Sequence, residues 1–164
     1  MLSENLLNKL NTQVTLEFYS SNLYLQMSAW CDYKGLPGSA KFFKEHAKEE
    51  MSHMQKIFDY IQDTGALAII DAIEKPEIDF SDLKNLYTTT YNHEKMITKQ
   101  INEIVDIALN EKDYSTFNFL QWYVSEQHEE EKLFKSILDK IEIIGLDGRG
   151  LFMVDKEIGN IVIR

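Results

Sequence analysis

One cysteine, Cys31, stands in the whole chain, so no disulfide can close within it and no cysteine-rich zinc or iron cluster can be built. That usage suits a reducing cytosol, the expected location. Proline occurs only twice and glycine seven times, which excludes collagen-like and low-complexity chains, and no internal repeat is present. No apolar run reaches the roughly 18 residues that a membrane span needs, and no basic-then-apolar leader opens the chain. Neither a membrane span nor a signal peptide is therefore expected. Basic residues are outnumbered, 17 against 27 acids, for a formal net charge of −10. Nucleic acid, whose phosphates would be repelled, is not an expected partner. The surplus of acids suits a protein that attracts cations, or one kept soluble by charge. The 164 residues are read as one domain, 1–164, long enough to bury a core.

What the chain has instead is helical periodicity. Between residues 3 and 33, Leu6, Leu10, Val14, Glu17, Ser21 and Tyr24 recur at spacings of three and four, one face of a helix. Gly35, Pro37 and Gly38 break it. Ser39 is expected to cap a second helix, closed by Gly65 at its C′ position, with Phe43, His46, Glu50, His53, Ile57 and Tyr60 on one stripe. Residues 66–80 make the longest connection, with Pro76 inside it. Such a stretch could run the length of a bundle and let the next helix lie parallel to the one before. Asp79 or Ser81 can cap a third helix carrying Leu83, Tyr87, Thr90, Glu94, Ile97, Ile101 and Ile104. The short polar link Asn110 to Asp113 should return the fourth helix antiparallel, with Phe117, Leu120, Val124, Gln127, Glu130, Phe134, Ile137 and Ile141 inward. Gly145, Gly148 and Gly150 end it, and an apolar tail, Leu151 to Ile163, follows. The expected fold is an all-α four-helix bundle over about 3–145 with one long crossover connection. The bundle core does not require the tail, which is expected to dock on another subunit. Leu23, Met27 and Trp30 form a second apolar stripe on the first helix, expected to be a subunit interface.

Each of the four stripes is interrupted near mid-length by an acid: Glu17, Glu50, Glu94 and Glu130. Glu94 and Glu130 each lie about 17 residues from the short turn that joins their helices, roughly 25 Å along the axis, so they should be level. Glu50 and His53, three residues apart, share one helix face. A carboxylate in a core must be paired, protonated or bound to metal. Four at one level would repel, and two divalent cations would balance them. Oxygen ligands with one imidazole suit iron or manganese, and zinc as well.

The chain resembles the bacterial non-haem ferritins over essentially its full length. The resemblance rests on Glu17, Tyr24, the run Glu49-Glu50-Met51-Ser52-His53, Glu94, and the run Glu126-Gln127-His128-Glu129-Glu130. It implies a ferroxidase centre: Glu17, Glu50 and His53 on a first iron, and Glu50 bridging to a second held by Glu94 and Glu130, with Gln127 close by. A third iron site maps to Glu49, Glu126, Glu129 and Glu130. Tyr24 and Trp122 would be electron donors beside the centre. The resemblance further implies oxidation of Fe(II) by O2 or H2O2, storage of Fe(III) as a mineral in a shell of twenty-four copies, and a short fifth helix over about 147–160 near four-fold axes.

The match has gaps. A second Glu-x-x-His pair is missing: Ser125 stands three residues before His128, and Glu130 three after Gln127. That argues against a haem-containing bacterioferritin, and Met51, at that family's haem-ligating position, is read as a packing residue. A catalytically silent helical bundle that only binds partners is the alternative from another class, and the complete acid set speaks against it. Animal ferritins carry acids near the start of the fourth helix at their pores; Tyr114 to Leu120 here holds no carboxylate. His46, one turn before Glu50, is read as a hydrogen-bonded core histidine rather than a ligand or relay. His93 and His128 are read as marginal and Cys31 as a packed residue.

Overall fold

A computed structural model describes residues 2–163. Five helices follow in order: α1 (Glu4–Tyr33), α2 (Pro37–Asp63), α3 (Leu83–Asn110), α4 (Tyr114–Ile144) and α5 (Gly148–Gly159). The inward stripes fall largely where the periodicity puts them, but on α4 Thr116 and Tyr123 are the buried positions where Phe117 and Val124 are expected, and these two, like Tyr60 on α2, are half-buried. Leu6, Leu10, Val14, Ile97, Ile101, Ile104, Phe134, Ile137 and Ile141 are all buried. Four of the five helix starts satisfy free N–H groups with a local side-chain cap. Ser3 accepts from Leu6 N, Asp113 from Thr116 N and Asp147 from Gly150 N. The third helix is capped by Asp82 accepting from Asn85 N at 2.7 Å, not by Asp79 or Ser81.

The start of α2 differs from expectation for a reason that sequence spacing does not reveal. Ser39 is not the cap. The helix opens earlier, at Pro37, whose fixed φ and missing N–H suit a first position, and the capping residue Leu36 offers no side-chain acceptor. The acceptor comes from α5: Asp155 receives the N–H groups of Gly38 at 2.9 Å and Ser39 at 2.7 Å. Gly38 must be glycine for this approach, since a Cβ there would lie 1.9 Å from the Asp155 carbonyl oxygen. Val154 and Ile158 of α5 join the core. The tail is thus packed on α2 and α4 and supplies core residues to its own bundle, contrary to the expectation that the core does not require it.

The crossover, 64–82, climbs the outside of α1. Ile69 N donates to Asn11 Oδ1 and Asp71 N to Thr15 Oγ1. At the far end Phe80 sits edge-on to Trp30, 5.7 Å between ring centres. From Asn11 to Trp30 an α-helix rises about 28 Å, the reach needed for α3 to start where α2 started and run parallel to it. The crossover also explains the second stripe of α1. Leu23, Met27 and Trp30 are buried within this chain, covered by Phe80 and by α3, whose Thr90 hydroxyl donates to Met27 Sδ. They are not a subunit interface.

The core is divided. One apolar half gathers Tyr24, Met27, Phe42, Phe43, Tyr87 and Phe134. The other gathers Leu10, Val14, Ile57, Ile101, Leu120 and Tyr123. On all four long helices the residues between the halves are polar. Among the described residues no helix is long and apolar enough to cross a membrane.

Candidate metal centre

The polar layer holds Glu17 from α1, Glu50 and His53 from α2, Glu94 from α3, and Gln127 and Glu130 from α4, none more than 3% exposed. An apolar half-core above and below fixes their height, because each helix changes from one cluster to the other at this level. Two sets of donor atoms meet here. Glu17, Glu50 and His53 can offer one atom each with all atoms within 4.8 Å of one another, and so can His46, Glu50, Glu94 and Glu130. Glu50 belongs to both, the place of a bridging carboxylate. Its Oε2 lies 3.3 Å from His53 Nδ1.

A third set, Glu49, His53 and Glu126, meets the same distance condition and is half-buried. It opens on a cavity of about 420 Å³ lined also by Ser52, Trp122, Glu129, Glu130 and the tail residues Ile161 to Ile163. His53 therefore stands between two acid clusters, Nδ1 toward Glu50 and Nε2 4.0 Å from Glu126 Oε1. Glu129 is exposed and lines this cavity without joining the set.

Hydrogen bonds hold the acids in place. Gln127 Nε2 donates to Glu94 Oε2 at 3.0 Å, and the Tyr24 hydroxyl donates to Glu94 Oε1 in a short contact. Gln13, one turn before Glu17 and equally buried, donates to Glu17 Oε1 at 2.7 Å. Sequence reasoning passed over Gln13, although its i, i+4 relation to Glu17 is the signal that could have found it. Tyr123 donates to the His53 carbonyl at 2.7 Å, steadying α2 at the ligand level. Trp122 meets the His53 ring nearly at right angles at 5.2 Å, and Lys56 Nζ lies over the Trp122 ring, 4.1 Å from its centre. Met51 is half-buried against the lower core half, His128 is exposed, and burial pushes the Cys31 thiol up to about 12. His93 is half-buried, as a marginal position implies; its Nε2 meets the Ser20 hydroxyl at 2.7 Å, and burial lowers its pKa to about 4.

The electrostatics are those of too many acids in too little water. Burial first, then mutual repulsion, raises Glu50 well above the carboxylate range. Glu17 and Glu94 are raised for the same two reasons, although Gln13, Tyr24 and Gln127 pull the other way. Burial raises Glu49 to about 7 and also raises Glu126. His53 is driven down to about 4 by burial, and so stands neutral with a lone pair to give. Burial and repulsion push Tyr24 well above its usual range, so it stays a phenol. A site that keeps raised acids beside a neutral imidazole is poised to exchange protons for a divalent cation.

His46 departs from its reading as an ordinary core histidine. It is fully buried, with Nε2 2.9 Å from Glu130 Oε2 and 3.7 Å from Glu50 Oε1, and Nδ1 3.4 Å from Glu49 Oε2. Burial lowers its pKa, but Glu130, Glu49 and Glu94 outweigh that and leave it raised to about 9.

Comparison with known proteins agrees over almost the whole chain. A family model described as ferritin-like domain matches residues 7–144. The chain is 62% identical over 161 residues to a probable bacterial non-heme ferritin-like protein of Haemophilus influenzae, covering 98% of each. It is 54% identical over 161 residues to a bacterial non-heme ferritin of Escherichia coli O157:H7, again over 98% of each. Among solved structures, an open-pore ferritin from Archaeoglobus fulgidus superposes with a TM-score of 0.96 at 38% identity, over 99% of this chain and 100% of that one.

Proposed function

The chain belongs to the ferritin family, and from that premise we propose that it stores and detoxifies iron in the cytoplasm, acting as a ferroxidase. The single observation that carries this reading is Glu50, a buried carboxylate shared by two donor sets inside a layer of raised acids. Fe(II) is the substrate. Glu17, Glu50 and His53 hold one ion. Glu50 bridges to a second, held by Glu94 and Glu130 with Gln127 as outer partner. Glu49, Glu126, Glu129 and Glu130 receive a third beside the cavity. Arriving ions displace the protons that burial had kept on the acids, and the ionised oxygens then favour Fe(III) over Fe(II). Each ion gives up one electron to O2 or H2O2. Tyr24, bonded to Glu94, and Trp122, against His53, are placed to supply a further electron. The ferric product hydrolyses and collects as mineral inside a homo-oligomeric shell of twenty-four subunits.

The test is iron loading. Metal-free protein given Fe(II) in air should develop amber ferric absorbance that co-elutes with a large species on size exclusion. Glu50→Ala should lose the fast phase, because both ions lose their bridge. Glu130→Ala should impair the second and third positions together, and Glu129→Ala should spare the first oxidation and alter only stoichiometry or turnover. Oxidation no faster than in buffer, or a native initial rate in Glu50→Ala, would end the proposal. A Soret band in the purified protein would instead give Met51 a haem.

A further inference from the structure

Two acids of the centre differ in membership. In the proposed site Glu130 serves the inner pair and the third position, whereas Glu49 serves the third position alone. His46, fully buried, approaches both, Nε2 toward Glu130 at 2.9 Å and Nδ1 toward Glu49 at 3.4 Å. Neither contact is aligned as a hydrogen bond, and both ring nitrogens and Glu130 Oε2 are left buried without such a partner. A buried polar atom with no partner is costly, and a core position that needed only volume would hold a hydrocarbon. The ring itself is held firmly. It stacks on Phe42 at 16°, meets Phe134 nearly at right angles, and packs against Tyr24 5.2 Å away. Three aromatic faces leave the imidazole plane little freedom, so the direction of its two nitrogens is set by packing.

We propose that His46 is a positioning residue that couples the inner pair to the third metal position, orienting Glu130 from one ring nitrogen and Glu49 from the other. When metals draw the carboxylates into line, each ring nitrogen has an oxygen within reach, and the ring, carrying an N–H on both nitrogens as imidazolium, donates to one oxygen of each acid and fixes which lone pair it presents. Carboxylates that ligate metals are commonly held by such outer partners, and loss of one costs about 10- to 100-fold in affinity. The first position, built from Glu17, Glu50 and His53, stands apart from this control, since the approach of His46 to Glu50 is only 3.7 Å. The inference rests on the proposed iron site.

The test is anaerobic calorimetry of the assembled protein with Fe(II), supported by Co(II) titration followed through the visible ligand-field bands. Neither readout needs turnover. In His46→Leu the first binding step should stay within about twofold of the native chain, while the second and third weaken by about 10-fold or more. His46→Gln, which keeps one amide donor in the same place, should recover part of the loss at an equal melting temperature. Second and third steps within twofold of native in His46→Leu overturn the proposal. So does a loss that Gln fails to relieve although the variant folds, because the ring would then be needed for its shape or as a ligand rather than as a donor. Should Glu50→Ala bind all its metal like the native chain, the site reading itself fails, and the coupling with it.

Discussion

At Glu50 the folded chain holds a carboxyl that it cannot hydrate, and the same is true in lesser degree of Glu17, Glu94 and Glu49. Their raised values mean that the folded state keeps protons the unfolded chain would release. Stability then falls as pH rises from the unfolded value toward the folded one, a window from 4.5 to about 7 for Glu49. His46, raised from 6.5 to about 9, acts in the same direction at higher pH. His53 and His93, lowered from 6.5 to about 4, act oppositely, but only below 6.5. Between pH 6.5 and about 9 the slope left comes from His46, Glu94 and Glu50, and each of these lowers stability as pH rises. The metal-free protein is expected to melt at a lower temperature at pH 8.5 than at pH 6.5, by scanning calorimetry. Zn(II) at saturation should shrink or reverse the difference, since bound metal keeps the acids ionised. Glu50→Gln, with the same shape and no charge, should flatten the metal-free slope. A metal-free melting temperature that climbs over this range would contradict the picture.

The elements are joined at one point by a carboxylate from far along the chain. Asp155 supplies the acceptors that the start of α2 lacks, and it sits where the partial positive charge of the helix end favours an anion. Asp155→Ala should destabilise the chain by about 1–2 kcal/mol, read as a lower denaturant midpoint at unchanged slope. Asp155→Asn, which keeps one oxygen, should lose less; equal midpoints for all three chains would show the cap to be idle. This contact marks where the sequence stops being legible. Stripes such as Leu83, Tyr87, Thr90 and Glu94 could be read because helix faces repeat locally, and the level of Glu94 and Glu130 follows from rise per residue. The burial of Trp30 by Phe80, and the choice of Leu36 over Ser39 as cap, depend on segments 50 and 116 residues away. The position of Glu50 beside His53 is open to spacing, whereas the approach of His46 to Glu130 on another helix is not.

Over the whole molecule, the metal centre and the storage task differ in how many chains they need. Every proposed ligand comes from one chain, set between two apolar half-cores of that chain. Retaining a mineral requires a wall. The outer surface carries apolar side chains with nothing over them: Leu67 73%, Ile69 52%, Ile70 47% and Ile78 53% exposed along the crossover, with Leu25 52% exposed on α1. Phe152 and Met153 do the same on the outward face of α5, 70% and 49% exposed. The proposed shell would cover exposed apolar residues such as these. In the crossover, Leu67→Glu with Ile70→Glu would place charges in that contact and oppose its burial. The double variant should elute and scatter light as small species with native helical circular dichroism. Its anaerobic metal binding per chain should match the native protein, and its initial oxidation rate per chain should stay near native. What it should lose is retention: ferric product ought to precipitate instead of co-eluting with protein. A small species that still kept hundreds of ferric ions soluble would show that one chain suffices for both tasks, and the division between site and shell would be wrong.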